Sequence, residues 1–172
     1  YSFTLSAGQH RWYKFTPTVS GDYTFATTGS TDTAGELYQG STLLITNDNG
    51  GAGNNFSITR SLTSGTQYRL KVKGASTSVT GSFTLGVNVT APTGVTVSPN
   101  SATVSAGSTK QLSASVTPSG APQGVSWSSS NTALATVSST GLVSTLSPGV
   151  VTITAKSTKD TSKKGTSIIT IN

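Results

Sequence analysis

The stretch from Gly81 to Pro99, GSFTLGVNVTAPTGVTVSP, contains both the signal for the fold and the signal for a domain boundary. In its first half, apolar residues occupy every second position, namely Phe83, Leu85, Val87 and Val89. Because successive side chains of a strand point to opposite faces, this pattern predicts a half-buried β-strand. The segment Ala91-Pro92-Thr93-Gly94 then predicts a short linker. The stretch therefore indicates two β-domains in tandem, at residues 1–90 and 95–172, joined by residues 91–94.

The same period-two alternation recurs along the whole chain, and no segment has a sustained helical period. Turn residues interrupt it about every 8–12 residues, which is typical of β-sandwiches. In the first domain we predict strands at 1–5, 9–16, 22–27, 36–39, 42–46, 56–62, 68–72 and 83–89. In the second we predict strands at 94–98, 102–105, 109–117, 124–129, 134–138, 142–146, 150–156 and 166–171. The fold class is therefore all-β, with two tandem β-sandwiches.

Composition excludes several classes of protein. Only 9% of the residues are charged, and there is no Cys, which excludes a disulfide framework and thiolate metal sites. A single His without Cys also argues against zinc. The sequence has no hydrophobic run long enough for membrane insertion. Low charge with abundant Ser, Thr and Gly is typical of extracellular β-modules, and the lack of Cys favours a bacterial source, so we expect a secreted or cell-surface bacterial protein.

The formal net charge of +6 raises the question of anionic partners. The basic residues are sparse and no recognition motif accompanies them, so we expect no nucleic-acid binding. Weak attraction to anionic cell-wall polymers is the alternative. Arg69, Lys71 and Lys73 alternate with apolar residues and form a stripe on one face of a strand, and Lys156, Lys159, Lys163 and Lys164 cluster in a second group. Either group could bind an anionic polymer, or be a solvated surface whose Lys side chains protect strand edges.

The second domain resembles the bacterial immunoglobulin-like domain, group 2, over residues 93–172. The resemblance is carried by Val95-Thr96-Val97-Ser98-Pro99, Val125-Ser126-Trp127-Ser128, Ala135-Thr136-Val137, Thr140-Gly141-Leu142-Val143 and Pro148-Gly149-Val150-Val151-Thr152. It implies an immunoglobulin-like Greek-key sandwich, found in surface adhesins and as repeats in secreted enzymes, with no catalytic role. It also implies that Trp127 fills the core of the sandwich.

The first domain resembles the bacterial pre-peptidase C-terminal domain over residues 1–90. The matching motifs are Tyr13-Lys14-Phe15-Thr16-Pro17, Ser20-Gly21-Asp22-Tyr23, Asn47-Asp48-Asn49-Gly50-Gly51 and Gly65-Thr66-Gln67-Tyr68. The resemblance implies a jelly-roll sandwich attached to secreted proteases, collagenases or glycosidases. Some members bind calcium, collagen or polysaccharide. The family's Asp before a Leu-Tyr pair is Glu36 in this sequence.

The stretch 29–56 contains the candidate metal ligands. Calcium prefers six to eight oxygens from carboxylates, amides and carbonyls. If the two ends of the stretch fold together, five side chains could supply several of them, namely Asp32, Glu36, Asn47, Asp48 and Asn49. Asn, Asp and Gly are also the residues that build turns, which is the alternative explanation. The expected cofactor is therefore calcium or none.

The remaining candidate site is aromatic. Sugars stack on flat rings whose polar neighbours orient them. Trp12 shares a strand face with His10 and Lys14, and Tyr38 lies in the stretch 29–56, so these four are the candidate ligand-binding residues. The alternative for Trp12 is packing against a loop or the neighbouring domain. A catalytic role is not expected, since no G-x-S-x-G elbow accompanies His10 and no cleft is evident for a pair of carboxylates.

These observations predict a non-catalytic accessory region of a secreted bacterial protein. The first domain would bind a polymer, either an extracellular polysaccharide or a collagen-like matrix protein, and the second would act as a spacer. The alternative is a structural or adhesive stalk segment of a cell-surface protein. We expect a monomer.

Overall fold

A computed structural model describes all 172 residues, which form 17 β-strands and no helices. The structure thus contains no helix that is long and apolar enough to span a membrane. The chain divides into two compact units, Tyr1–Thr90 and Ala91–Asn172. The all-β fold class predicted from the alternation is confirmed.

The first unit contains eight strands: β1 (Ser2–Leu5), β2 (His10–Phe15), β3 (Gly21–Thr28), β4 (Thr33–Gln39), β5 (Thr42–Asn47), β6 (Ser57–Leu62), β7 (Tyr68–Gly74) and β8 (Gly81–Val89). Every predicted strand of this half is present. However, β4 begins at Thr33, three residues before the predicted start. Residues 33–35 pair with β7, and the buried Thr33 hydroxyl also bonds at 2.5 Å to Thr27 of β3, which lies in the other sheet.

The pairing of these strands is nested, so that the first strand pairs with the last and each following strand pairs with the one before the last partner. β1 pairs with β8, β2 with β7, β3 with β6 and β4 with β5, all antiparallel. The chain is therefore a long antiparallel ribbon, and the pairs β3·β8 and β4·β7 roll it into two sheets, ordered β1-β8-β3-β6 and β2-β7-β4-β5. Eight strands in two such sheets form a jelly roll. The predicted jelly-roll-like sandwich is confirmed.

The core of this unit lies between the two sheets. Its side chains alternate along the strands with exposed or half-buried ones, as in β7, where Tyr68, Leu70 and Val72 are buried. Phe25, Phe56 and Phe83 are among its buried aromatic residues. Because the inner positions of each strand are fixed by this core, the residues between them must lie on the outer faces of the sheets.

The second unit contains nine strands: β9 (Gly94–Ser98), β10 (Ser101–Val104), β11 (Thr109–Gln111), β12 (Ser113–Thr117), β13 (Val125–Ser129), β14 (Ala135–Val137), β15 (Leu142–Thr145), β16 (Gly149–Ser157) and β17 (Lys164–Ile171). They form sheets ordered β10-β17-β16-β13, β11-β15-β14 and β12-β9. The chain passes repeatedly between sheets, as in an immunoglobulin-like sandwich. The core includes Val97, Leu112, Ile153 and Ile169.

The prediction of a single strand at 109–117 is wrong, because this segment divides into two strands at Leu112. β11 pairs with β15, whereas β12 pairs with β9. The buried Leu112 donates its amide to the Gly141 carbonyl at the point where the chain changes sheets. Alternation continues through such a corner, so the sequence pattern did not reveal it.

Trp127 packs against this core and remains half-buried. Gly141 lies beside it with φ of +83°, and a Cβ there would be 2.8 Å from the indole and 2.6 Å from the Leu112 carbonyl oxygen. The Thr140-Gly141-Leu142 motif therefore needs glycine for both its backbone conformation and its close packing.

Candidate functional site

The outer face of the β2-β7-β4-β5 sheet carries aromatic and basic side chains in three cross-strand rows. Strand register aligns His10 with Lys73, Trp12 with Lys71 and Glu36, and Lys14 with Arg69 and Tyr38. We call these eight residues the aromatic–basic face. The four predicted ligand-binding residues, His10, Trp12, Lys14 and Tyr38, all belong to it. Their grouping depends on β7, which lies between β2 and β4.

The two aromatic candidates are in contact across β7. The ring centroids of Trp12 and Tyr38 are 5.3 Å apart at an interplanar angle of 54°. His10 meets the indole edge-on at 6.2 Å. Trp12 nevertheless keeps 46% of its surface exposed. The indole therefore packs on side chains of its own sheet, not on a loop, and still presents area to solvent, whereas its binding role stays a prediction.

Two cations lie next to the indole. The Arg69 guanidinium carbon is 5.2 Å from the Trp12 ring centroid, and the Lys71 Nζ is 5.8 Å from it. Arg69 also donates to the Gly40 carbonyl at 2.5 Å, in the turn between β4 and β5. Cations within about 6 Å of a Trp centroid are attracted by the ring quadrupole. These contacts fix Arg69 beside Trp12.

Glu36 is the only acidic residue of the face, and its carboxylate is fully engaged. It accepts hydrogen bonds from Lys73 at 2.5 Å, Lys71 at 3.4 Å and the Tyr38 hydroxyl at 2.6 Å. The Lys73 hydrogen bond, with help from Tyr38, lowers the pKa of Glu36 from 4.5 to about 2. The hydrogen bond from the Tyr38 hydroxyl to Glu36 raises the pKa of Tyr38, since the phenol donates to a carboxylate. Glu36 is therefore ionised and Tyr38 neutral at physiological pH.

A recess of about 250 Å³ adjoins the face. It lies between the turn that precedes β2, at Gly8 and Gln9, and the loop that follows β7, at Ser76 and Thr77. Its walls include His10, Lys71 and Lys73. The recess is thus lined by one imidazole and by two lysines whose ammonium groups also bond to Glu36.

The position of β7 within the sheet corrects one interpretation of the basic stripe. β7 is an interior strand, paired with β2 on one side and β4 on the other. Lys and Arg on an interior strand cannot protect a sheet edge. Edge protection therefore does not account for Arg69, Lys71 and Lys73. The second basic group stands around the β16–β17 hairpin, where Lys156 and Lys164 face each other and are exposed.

The structure does not gather the predicted calcium ligands into one cluster. Glu36 bonds to two lysines, and the Asn47 side-chain oxygen accepts from the amides of Gly50 and Ser57, both at 2.9 Å. Asp32 precedes β4, and Asp48 and Asn49 are exposed beyond the end of β5. No group of three or more His, Asp or Glu side chains lies close enough to hold a metal ion. A calcium site at the five residues stays a prediction, and a site that uses Glu36 would have to replace its lysines.

Asn55 has a structural role that the sequence did not reveal. It is 3% exposed, and its amide donates to the carbonyls of Gly29 and Ala52, both at 2.9 Å. Its side-chain oxygen faces the Thr33 hydroxyl at 3.4 Å. Asn55 therefore joins the start and the end of the stretch 29–56. In sequence it is one of several Asn residues near glycines, and nothing distinguishes it from the turn-forming ones.

Residues 91–168 match the family model of the bacterial Ig-like domain (group 2), so the predicted family of the second unit is confirmed. The matched residues do not include the first unit, whose resemblance to the pre-peptidase C-terminal domain stays a prediction. No protein with a curated description matches the chain. Among solved structures, the chain is similar to the C-terminal 282-residue fragment of intimin, determined in complex with the intimin-binding domain of the translocated intimin receptor. The identity is 20% and the TM-score 0.40, over all of this chain and 64% of that one, so the chain spans less than two thirds of the fragment.

Proposed function

Since its second unit is a bacterial Ig-like domain, we propose that the chain is a non-catalytic accessory region of a secreted or cell-surface bacterial protein. In this proposal the first unit binds an extracellular polymer through the aromatic–basic face, and the Ig-like unit is a spacer. The observation that carries the proposal is the exposed Trp12 ring, held against Tyr38 among hydrogen-bonding side chains.

A polysaccharide fits this arrangement better than a small molecule. The aromatic–basic face is the outer surface of a sheet rather than an enclosed cavity, so it can contact several units of an extended chain. Sugar rings stack on aromatic faces, and neighbouring polar groups orient their hydroxyls. Lys14, Arg69 and Lys71 surround Trp12 in this way. A collagen-like protein is the other polymer to be tested.

The electrostatics of Glu36 support a binding role rather than catalysis. A general acid or base works best when its pKa lies near the operating pH. The pKa of Glu36 is lowered to about 2 by its Lys73 and Tyr38 hydrogen bonds, and its oxygens are engaged by Lys71, Lys73 and Tyr38. Glu36 thus serves to position the lysines and the Tyr38 ring.

A glycan array combined with pull-downs on insoluble polysaccharides and collagen tests the proposal. We expect binding to at least one polymer, and we expect Trp12→Ala to abolish most of it. Leu146→Ala is the control, because Leu146 is an exposed large apolar residue of the second unit. Absence of binding to every polymer, or binding that survives both Trp12→Ala and Tyr38→Ala, would contradict the proposal.

A second candidate function is a structural or adhesive stalk segment of a cell-surface protein. The match of residues 91–168 to the bacterial Ig-like domain favours it, because the resemblance implies a sandwich that is found in surface adhesins. The neighbouring coding sequence separates the two candidates. Further copies of these two units would favour a stalk, whereas an adjoining catalytic domain would favour an accessory region.

A further inference from the structure

We propose that the polymer bound by the aromatic–basic face is an acidic polysaccharide. Its carboxylate or sulfate groups bind to Lys71 and Lys73 while its sugar rings lie against Trp12. This inference rests on the proposed function, because it names the class of polymer that the same face binds.

Most of the positive charges of the first unit are concentrated on this face. The unit has six basic and four acidic residues. Four of the basic residues belong to the face, whereas Glu36 is its only acid. The remaining charged residues of the unit lie elsewhere and nearly balance, namely Arg11, Arg60, Asp22, Asp32 and Asp48. A surface of one charge raises the local concentration of ligands of the opposite charge. The face therefore attracts polyanions although the rest of the unit does not.

Two cations of the face lie opposite each other. Lys14 is directly opposite Arg69 in the β2·β7 register, and like charges in this position are destabilising. Lys14 is exposed and Arg69 is half-buried, so water screens this repulsion only in part. An anionic ligand between Lys14 and Arg69 would relieve it.

The hydrogen-bonding groups of the face are nearly all donors. Lys and Arg donate and cannot accept, and the Glu36 oxygens already accept from Lys71, Lys73 and Tyr38. The ligand must therefore supply acceptors. Hydrogen bonds from cations to anionic oxygens are about twice as strong as neutral ones. The face consequently favours a carboxylated or sulfated sugar over a neutral one.

The recess beside the face provides a place for the anionic group. Its walls include His10, Lys71 and Lys73. It adjoins the indole, because His10 and Lys71 are both close neighbours of the Trp12 ring. A substituent of a sugar lying on Trp12 can thus reach the recess, where it would share Lys71 and Lys73 with the carboxylate of Glu36.

Matched pairs of polymers test the inference on the full chain. Affinity electrophoresis and calorimetry would compare polygalacturonate with its fully methyl-esterified form, and chondroitin sulfate with unsulfated chondroitin. We expect the acidic form of the first pair to bind at least tenfold more tightly, with binding that weakens as salt rises. Preference for chondroitin sulfate would assign the recess to sulfate, and equal binding would assign it to carboxylate.

Variants locate the site. We expect the double change Lys71→Gln and Lys73→Gln to weaken polygalacturonate binding at least fivefold, and Lys14→Gln, which breaks no ion pair, to weaken it less. Arg60→Gln is the control for Lys14→Gln, since each removes one positive charge and Arg60 is an exposed residue of β6 in the other sheet. It should leave the binding unchanged. Polyglutamate, a polyanion without sugar rings, should bind more weakly than polygalacturonate.

The outcomes distinguish the inference from the proposed function. Equal binding of the acidic and esterified polymers would overturn the inference and leave the proposed function standing. Binding of no polysaccharide would overturn both. An effect of Arg60→Gln as large as that of the lysine changes would show that the attraction is non-specific. It would contradict the location of the site on the aromatic–basic face. Polyglutamate bound as tightly as polygalacturonate would point to an acidic protein partner and also overturn the inference.

Discussion

Trp12 and Tyr38 hold their ring centroids 5.3 Å apart although their strands, β2 and β4, do not pair with each other. The two rings meet across β7, the strand between them. Three segments of the chain must therefore be in register before this contact exists. The contact links the fold of the jelly roll directly to the surface that we propose as the binding site.

A double-mutant cycle measures the coupling between the two rings. Aromatic pairs of this geometry contribute about 0.5–1.5 kcal/mol beyond their buried area. We expect Trp12→Ala and Tyr38→Ala to destabilise the first unit by less together than the sum of their separate effects, with a coupling in that range. Urea unfolding followed by circular dichroism would measure it. Strict additivity would mean that the rings are neighbours without an energetic interaction.

The hydroxyl and the ring of Tyr38 have separable roles. Tyr38→Phe removes the 2.6 Å hydrogen bond to Glu36 and keeps the ring beside Trp12. We therefore expect Tyr38→Phe to keep polymer binding within about twofold, and Tyr38→Ala to weaken it by up to about tenfold. Pull-down titrations of the two variants in parallel would compare them. A loss caused equally by both would assign the role to the hydroxyl instead.

Stability at low pH should report on Glu36. Its pKa is lowered in the folded state, from 4.5 to about 2, so the folded chain favours the ionised form. The stabilisation is thus complete above about pH 4.5 and is lost as the pH falls towards about 2. Glu36→Gln removes charge-assisted hydrogen bonds and should cost roughly 1–2 kcal/mol at pH 6.

That cost should shrink steadily between pH 4.5 and pH 2, as the wild-type carboxyl becomes protonated. Urea unfolding of both proteins across this range would measure it, with Asp160→Asn in the second unit as a control. Asp160 also has a lowered pKa, but its carboxylate bonds to Ser162 and forms no ion pair. A difference between wild type and Glu36→Gln that does not change with pH would contradict the ion-pair assignment.

The strands of the first unit were predictable because alternation is a local property. Phe83 and Leu85 show their inward positions within a few residues of sequence. The aromatic–basic face was predictable only in its parts. Sequence places Trp12 beside His10 and Lys14, but only the β2·β7 and β7·β4 registers bring Lys71, Glu36 and Tyr38 to the same surface.

The recess beside His10 and the buried network of Asn55 were not predictable for the same physical reason. Asn55 bonds to Gly29 and Ala52, and its oxygen faces Thr33, so its role depends on three separate segments. Leu112 is a comparable case, because the chain changes sheets there without a break in alternation. Such features arise from long-range packing, whereas turn-forming and core-forming Asn and Leu look alike in sequence.

Two glycines of the second unit offer a matched comparison. Gly141 and Gly107 have φ of +83° and +79°, so alanine is strained equally at both. A Cβ at Gly107 meets nothing within 4 Å, whereas one at Gly141 would be 2.6 Å from the Leu112 carbonyl oxygen and 2.8 Å from Trp127. We expect Gly141→Ala to destabilise the unit by about 1–3 kcal/mol more than Gly107→Ala.

The fluorescence of Trp127 in a Trp12→Phe background would follow this unit alone, since the chain has two Trp residues, one in each unit. Equal destabilisation by the two substitutions would show that the loop at Gly141 moves away from Trp127 without cost.

Calcium binding by the stretch 29–56 can be tested through stability. A bound ion raises the free energy of unfolding by about 2.7 kcal/mol at a hundredfold excess over Kd. Because Glu36 and the Asn47 oxygen already have partners, we expect any calcium effect to depend on Asp32 and Asp48 and to be lost when both are changed to Asn. Thermal unfolding with calcium and with a chelator would measure it. Equal melting temperatures in the two conditions would contradict a calcium site in this stretch.

The Tyr13 hydroxyl is buried without a hydrogen-bond partner, although the ring packs against Phe3 at 5.1 Å. Burial accordingly raises the pKa of Tyr13. An unpartnered buried hydroxyl costs about 1–3 kcal/mol, so we expect Tyr13→Phe to leave stability unchanged or to increase it.

Tyr23→Phe is the matched control, because the Tyr23 hydroxyl donates to the Val19 carbonyl at 2.9 Å. It should lose about 1 kcal/mol. Urea unfolding of the two variants would compare them, and a Tyr13→Phe variant as destabilised as Tyr23→Phe would show that the Tyr13 hydroxyl has a partner in solution.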